Sequence, residues 1–296
     1  MTDAREAAKV ASEERAFALP QLADDAHKGD AGRVLSVCGS RAMPGAAVLV
    51  ARAAQRAGAG LVTVACLDVE LMAIIPGAAP EAVLLELTRP TDLPFALATN
   101  MHHAIVAGPG LGNVERTRGI VQMLLASAGN APLVLDADAL NVLGNEPDKL
   151  RQRRAPIVIT PHPGEASRLL GREIPSDAAG RESCARDLAR ASGAIVCLKG
   201  HGTVVTDGAR VYVNDTGNPG MATAGAGDVL AGILGAYLAL CATGNHPQWT
   251  PLDAACAAVR AHGLAGDFAA AHLGRRAVIA SDLVHWLSSA QRRLEA

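Results

Sequence analysis

Aromatic residues are nearly missing from this 296-residue chain, which has three Phe, two Trp and two Tyr. Binders of single-stranded nucleic acid stack bases on aromatic rings and line the backbone path with cations. This chain offers neither, because 27 Lys and Arg face 29 Asp and Glu for a formal charge of −2. No nucleic-acid partner is expected. The N-terminus, Met-Thr-Asp-Ala-Arg-Glu, lacks the apolar core of a secretory leader, and no apolar run reaches the roughly 20 residues that span a bilayer. The expectation is a cytoplasmic protein with no membrane partner. Cysteines at 38, 66, 184, 197, 241 and 256 show neither the close pairing of a zinc site nor the density of a disulfide scaffold, so they read as reduced, small hydrophobes. No linker rich in Pro, Ser or charge divides the chain, and its length suits one large α/β domain.

Two nucleotide-binding signatures are missing as well. No Gly-x-x-x-x-Gly-Lys-Ser/Thr occurs, which excludes a P-loop NTPase. Gly108-Pro109-Gly110-Leu111-Gly112 follows a strand pattern, yet Asn113 stands where the dinucleotide fingerprint requires glycine, and Asp136 lies further on than that fingerprint places its acid. By itself the segment reads as a tight turn.

What is present is an alternation of short apolar runs with stretches of helical periodicity, the pattern of βα units around a largely parallel sheet. Strands are predicted at Arg33–Cys38, Leu61–Cys66, Ala104–Ala107, Leu133–Leu135, Pro156–Thr160 and Ala194–Leu198. Each runs into a Gly, Asp or Pro turn, and ligands collect at such carboxyl ends in open α/β sheets. Thr203–Thr206 and Val211–Asn214 flank Asp207-Gly208, a two-residue hairpin signal. An apolar helix is then predicted from about Gly227, with Leu230, Ile233, Leu234 and Tyr237 on one face, followed by helices over about 252–272 and 281–293. Residues 1–20 read as a polar, Ala-rich helical arm for packing or oligomerisation, and 21–296 as the domain proper.

The strongest constellation for chemistry is Asn214 to Asp228, a glycine-rich turn that feeds directly into a helix. Free N–H groups of Gly225, Ala226 and Gly227, with the positive end of the helix dipole, make an anion hole. Asp228 would sit beside that anion, a placement suited to a base that takes a proton from an attacking hydroxyl. The alternative is a simple N-terminal helix cap. Thr160-Pro161-His162-Pro163-Gly164-Glu165 closes a strand with two prolines before a helix near Gly164. Glu165 could hold Mg²⁺ through water, or serve only as a favourable first-turn acid, and His162 by itself reads as a structural histidine. In Asp136-Ala137-Asp138, Asp138 reads as a cap and Asp136 as the better candidate for ligand or Mg²⁺ contact. Lys199-Gly200-His201-Gly202-Thr203 leaves a strand with a cation and two glycines, which suits a nucleotide phosphate; a hairpin with a surface lysine competes.

Taken together, these segments resemble the ADP-dependent NAD(P)H-hydrate dehydratases of the ribokinase-like superfamily. The match runs from about His27 to the last helix through His27–Gly32, Gly39-Ser40, Met43–Ala47, Arg56–Val62, Gly108–Gly112, Asp136–Asn141, Pro161–Glu165, Leu198–Gly200 and Gly217–Gly232. The resemblance implies a three-layer α/β fold with a mostly parallel central sheet flanked by helices. It implies dehydration of the S-epimer of hydrated NADH or NADPH, with ADP (or ATP) as co-substrate, Mg²⁺ as cofactor and AMP and phosphate as products. Asp228 corresponds to the base; Ala46, Gly110, His162 and Asp228 to hydrate contacts; Lys199, Gly200, His201, Gly202, Thr203 and Gly227 to nucleotide contacts. It further implies a homotetramer, and pairing with a separate NAD(P)H-hydrate epimerase, since the chain has no room for the epimerase domain some relatives carry. Ala226 departs from the Ser or Thr that relatives often place between the two glycines. His162, three residues before Glu165, favours a dehydratase over the superfamily's kinases, which tend to carry Asn there. A hydroxyl-directed small-molecule kinase and a catalytically silent nucleotide-binding protein stand as the alternatives.

Overall fold

The computed structural model describes residues 18–87, 89, 92–93, 102–112, 115–126 and 129–295. Most of the arm expected over residues 1–20 lies outside that set. Leu19 is buried, and its N–H donates to the Leu294 carbonyl at 3.2 Å, so this end of the described chain lies against the last helix.

Nine strands form one sheet in the order β3-β2-β1-β4-β5-β6-β7-β8-β9. They are β1 (Arg33–Val37), β2 (Leu61–Cys66), β3 (Val83–Glu86), β4 (Ala104–Ala107), β5 (Leu133–Leu135), β6 (Ile157–Ile159), β7 (Ile195–Leu198), β8 (Val204–Thr206) and β9 (Val211–Val213). The first seven pair in parallel and the last two join antiparallel. Strands β4, β5 and β6 are buried along their whole length, as expected where helices cover both faces, and so appear as continuous apolar runs. β3 is the strand the periodicity misses: it lies at the sheet edge with both terminal residues exposed, and its short apolar run ends at Glu86 rather than at a Gly, Asp or Pro turn. The β8–β9 connection also differs from the two-residue turn expected. Thr206 pairs with Val211, which leaves a four-residue loop, and Asp207 Oδ1 stabilises it by accepting from the N–H groups of Ala209 (2.9 Å) and Arg210 (2.7 Å).

Helices α1 (Pro44–Arg56), α7 (Ala226–Ala242), α8 (Pro251–Leu273) and α9 (Ala280–Glu295) share one apolar cluster with one face of the sheet. Helices α3 (Glu115–Ala126), α4 (Asp138–Asn141), α5 (Pro163–Leu170) and α6 (Ala178–Ser192) cover the other face, and α2 (Glu70–Ala78) follows β2. Small residues bring the α7 layer close. A Cβ at Gly232 would come within 2.5 Å of the Val50 carbonyl of α1, and one at Gly235 within 2.5 Å of Val106 on β4. That close seat fixes where α7 begins, and hence where Asp228 stands. All six cysteines are free thiols, five of them buried. Among the described residues no helix is long and apolar enough to cross a membrane.

β1 and β4 are neighbours from which the strand order departs in opposite directions, so the crevice at their carboxyl ends is a topological switch point. Gly39 and Pro109 close over it, with the Gly39 N–H donating to the Pro109 carbonyl at 2.8 Å.

Candidate active site

Two helix N-termini meet above the carboxyl ends of β4 to β7. α5 is closed: His162 is its N-cap, its Nδ1 accepts from the N–H groups of Gly164 (2.9 Å) and Glu165 (3.3 Å), and Glu165 Oε2 accepts the His162 N–H at 2.8 Å. This is a reciprocal capping box. The structural role considered for His162 is therefore real, yet its ring remains half exposed and free to meet a ligand along its outer face.

α7 is open. Its N-cap is Gly225 in the left-handed region at φ 85°, and no side chain caps it. That backbone calls for glycine, and a Cβ there would also press on the tip of the Leu49 side chain, 2.5 Å from its Cδ1. Asp228 sits in the first turn without capping it, which removes the cap alternative. Of the three residues expected to form the anion hole, Ala226 donates to the Thr223 carbonyl at a long 3.4 Å. The N–H groups of Gly225 and Gly227 have no protein acceptor among the described residues, and neither has that of Asp228. Three donors at a positive helix end remain for an anion.

Beneath this turn lies a buried ion pair. Lys199 Nζ, leaving β7, is 2.6 Å from Asp136 Oδ1 and 4.0 Å from Glu165 Oε2. Burial alone would lower the Lys199 ammonium, but the carboxylates of Asp136, Glu165 and Asp228 outweigh it and hold the group above its ordinary value. Asp136, expected as a direct ligand, is 1% exposed and serves first as the partner of Lys199. A Cβ at Gly227 would stand 3.5 Å from Lys199 Nζ and 3.6 Å from Asp136 Oδ2, so the pair sits directly against the open turn. Asp228 has no hydrogen-bond donor among the described residues. Burial pushes its carboxyl up to about 6, with the Asp136 charge adding and Lys199 opposing. A carboxylate so tuned changes protonation near neutrality, as a general base should.

The nucleotide candidates come together. Lys199, Gly200, His201, Gly202, Thr203 and Gly227 line one cavity of about 600 Å³, with Asn214, Thr216 and His262 on its far wall. Gly200 adopts φ 140°, and Arg181 lies close by: a Cβ at Gly200 would be 2.9 Å from the guanidinium, which donates to the carbonyls of Leu198 (3.3 Å) and Lys199 (3.2 Å). Ala46 and Gly110, two of the hydrate candidates, meet at the switch point. Gly110, at φ 68°, faces Ala46 on α1 so closely that a Cβ on it would be 2.7 Å from the Ala46 methyl. Asp138 is not a cap. The N-cap of α4 is Ala137 at φ 49°, and Asp138 Oδ2 instead accepts the Gly112 N–H at 2.8 Å, tying the glycine turn to the start of α4.

Several residues escaped sequence reasoning. Asp267 of α8 accepts from the Gly217 N–H (2.8 Å) and from Asn218 Nδ2 (2.9 Å), holding the loop before the anion turn. His262 Nε2 lies 2.9 Å from the Ala226 carbonyl. The available signal was Gly263 and Gly266 inside an otherwise favourable helix, since interior glycines mark close backbone approach.

For a metal the donor set is limited. Among the described residues no group of three His, Cys, Asp or Glu could hold an ion, and Glu165 Oε2 already accepts the His162 N–H. This fits Mg²⁺ carried on a nucleotide's phosphates with its waters retained, rather than a cage built by the protein.

A mostly parallel sheet, a glycine turn opening a helix and a carboxylate in that helix's first turn define the ribokinase-like class. Within it, the chain belongs to the NAD(P)H-hydrate dehydratase family, whose model matches residues 34–288. The ADP-dependent (S)-NAD(P)H-hydrate dehydratase of Neisseria meningitidis serogroup B is 39% identical over 250 residues, covering 83% of this chain and 79% of that one. The bifunctional NAD(P)H-hydrate repair enzyme Nnr of Escherichia coli K12 is 41% identical over 258 residues, 87% of this chain and 47% of that protein. The chain thus spans about half the length of the bifunctional relatives it matches. An ADP/ATP-dependent NAD(P)H-hydrate dehydratase from Bacillus subtilis, co-crystallized with ATP/Mg²⁺, superposes with a TM-score of 0.81 at 28% identity, covering 95% of this chain and 96% of that one.

Proposed function

We propose that this protein dehydrates the S-epimer of hydrated NADH or NADPH at the expense of ADP, with Asp228 as the base. The observation that carries this is the uncapped N-terminus of α7, where free N–H donors and a carboxyl raised to about 6 stand side by side over the Lys199–Asp136 pair. In this account the adenylate occupies the cavity lined by Lys199–Thr203 and Gly227, and the hydrate lies over Ala46, Gly110 and His162. Asp228 takes the proton of the hydrate hydroxyl while that oxygen attacks the terminal phosphorus of ADP, and the bond to AMP breaks. The N–H groups of Gly225 and Gly227 stabilise charge on the phosphoryl group in transit. Phosphate then leaves with the C–O bonding pair, the ring-nitrogen lone pair assists, and loss of a proton from the adjacent carbon restores the dihydronicotinamide. Phosphorylation turns a poor leaving group into a good one.

Mg²⁺, when bound, would neutralise phosphate charge, with Glu165 reaching it through water. The free thiols suit a reducing compartment, supporting a cytoplasmic setting. The assembly proposed, on the family resemblance, is a homotetramer, checked by light scattering on the purified protein. The bifunctional relatives support functional pairing with a separate epimerase for the other epimer. The test is to incubate purified protein with hydrated NADH, nucleotide and Mg²⁺ and follow dihydronicotinamide absorbance. Absorbance should return with ADP; no return with any nucleotide would sink the dehydratase assignment, and a stable phosphorylated product would make the protein a kinase.

A further inference from the structure

The open turn of α7 poses a physical problem. A capping side chain at its N-terminus would occupy the N–H groups an anion needs, yet an uncapped first turn frays, and a frayed turn presents no fixed donors. Gly225 makes this worse, since glycine leaves the chain its widest freedom just before the turn. The turn must be held from its other side, through a carbonyl.

One group does this. His262, in the middle of α8, places Nε2 2.9 Å from the carbonyl oxygen of Ala226, the first residue of α7. A carbonyl only accepts, so Nε2 carries the hydrogen. The ring stays neutral: burial lowers its pKa to about 4, with the Ala226 hydrogen bond opposing that shift. The bonded carbonyl belongs to the same trans peptide as the Gly227 N–H, which points the opposite way. A hydrogen bond at that carbonyl polarises the peptide and strengthens its N–H as a donor. The same stretch of α8 anchors the preceding loop, through Asp267 to Gly217 and Asn218 and through the close contact of Gly263 with Thr216.

We propose that His262 is a positioning residue that clamps the anion turn through Ala226, keeping the Gly227 N–H aimed while leaving it unoccupied. This rests on the phosphoryl-transfer assignment above. Three variants and two readouts test it. His262→Gln can return an N–H donor to the Ala226 carbonyl, His262→Asn is too short to reach it, and His262→Leu removes it. Turnover of hydrated NADH is measured beside the affinity for AMP alone and for AMP with fluoroaluminate, which takes the place of ADP's terminal phosphoryl group in flight.

Expected are a kcat loss of about 10- to 100-fold in His262→Leu and His262→Asn, substantial recovery in His262→Gln, a loss of AMP affinity smaller than the loss of kcat because the ring also lines the nucleotide cavity, and a loss of the fluoroaluminate gain that follows kcat. Should His262→Leu fail to fold, the Gln against Asn comparison at matched Tm decides. Equal kcat in all folded variants, or a loss that Gln shares with Asn, would overturn the clamp. If the wild type turns over no hydrate, the functional assignment falls by itself, and the fluoroaluminate arm still decides the role of His262.

Discussion

The two helix N-termini at this site face the same ion pair and are built in opposite ways. α5 closes its end with a capping box, satisfying two N–H groups through His162 and fixing Glu165 in return. α7 leaves its end bare after a left-handed glycine and keeps donors free. Capping stabilises a helix by about 1 kcal/mol. α1, α2 and α4 lack a side-chain cap as well, so what sets α7 apart is that its free donors lie directly against the Lys199–Asp136 pair. In the proposed reaction the roles would divide accordingly: α5 is the fixed wall that holds Glu165 and presents the His162 ring, and α7 would receive the reacting group.

The largest effect that would break this contrast is at Asp228. Asp228→Asn should lower kcat by roughly 10³-fold or more, within the span general-base removal produces, while calorimetry still finds ADP bound. Near-normal turnover would refute the base. Next is the pair beneath the turn. Lys199→Met leaves Asp136 buried without its cation, and the fold should lose about 3 kcal/mol or more in denaturant unfolding at pH 7. Substituting both members as Lys199→Met with Asp136→Leu should recover much of that stability and no activity.

The pH dependence comes third. With Asp228 raised to about 6, kcat/KM should fall about tenfold per pH unit below that value, as the base becomes protonated. The stability sign runs the other way. The folded state binds this proton more tightly than the unfolded chain, whose carboxyl has its ordinary value of 3.8. The contribution is therefore fully present below that value and lost as pH rises through about 6. Asp228→Asn should unfold at higher temperature than the wild type at pH 8, with the gap closing by pH 4. The smallest effect is at the closed end. His162→Ala should cost about 1 kcal/mol through the lost cap, and His162→Ser should restore Tm without restoring hydrate affinity. Full recovery of both would reduce His162 to a cap alone.

Much of the frame was legible because it is local. β2, β4 and β5 lie where the apolar runs end at turns, and α7 begins one residue before Gly227. β3 was not legible, since its apolar run is short, ends at Glu86 without a turn residue, and belongs to a half-exposed edge strand. Within the site, the glycine turn and Asp228 stood out because glycine needs and helix starts are written in adjacent residues. The Lys199–Asp136 pair, the Gly112–Asp138 tie and the Asp267 anchor join residues 63, 26 and 50 positions apart. No spacing rule reaches that far. His162 shows a further limit: one ring caps a helix with one nitrogen and leaves a face to solvent, so the structural and functional alternatives were never exclusive.

The central claim is that an anion accepted at the open end of α7 is the phosphoryl group that carries water out of the hydrate. The most direct measurement is the stoichiometry of one reaction, with AMP, inorganic phosphate and restored dihydronicotinamide followed together after adding ADP and Mg²⁺ to hydrated NADH. The account predicts that the three appear one for one, and that none appears when ADP is left out. Dihydronicotinamide returning without AMP, or AMP forming while the hydrate remains, would contradict it.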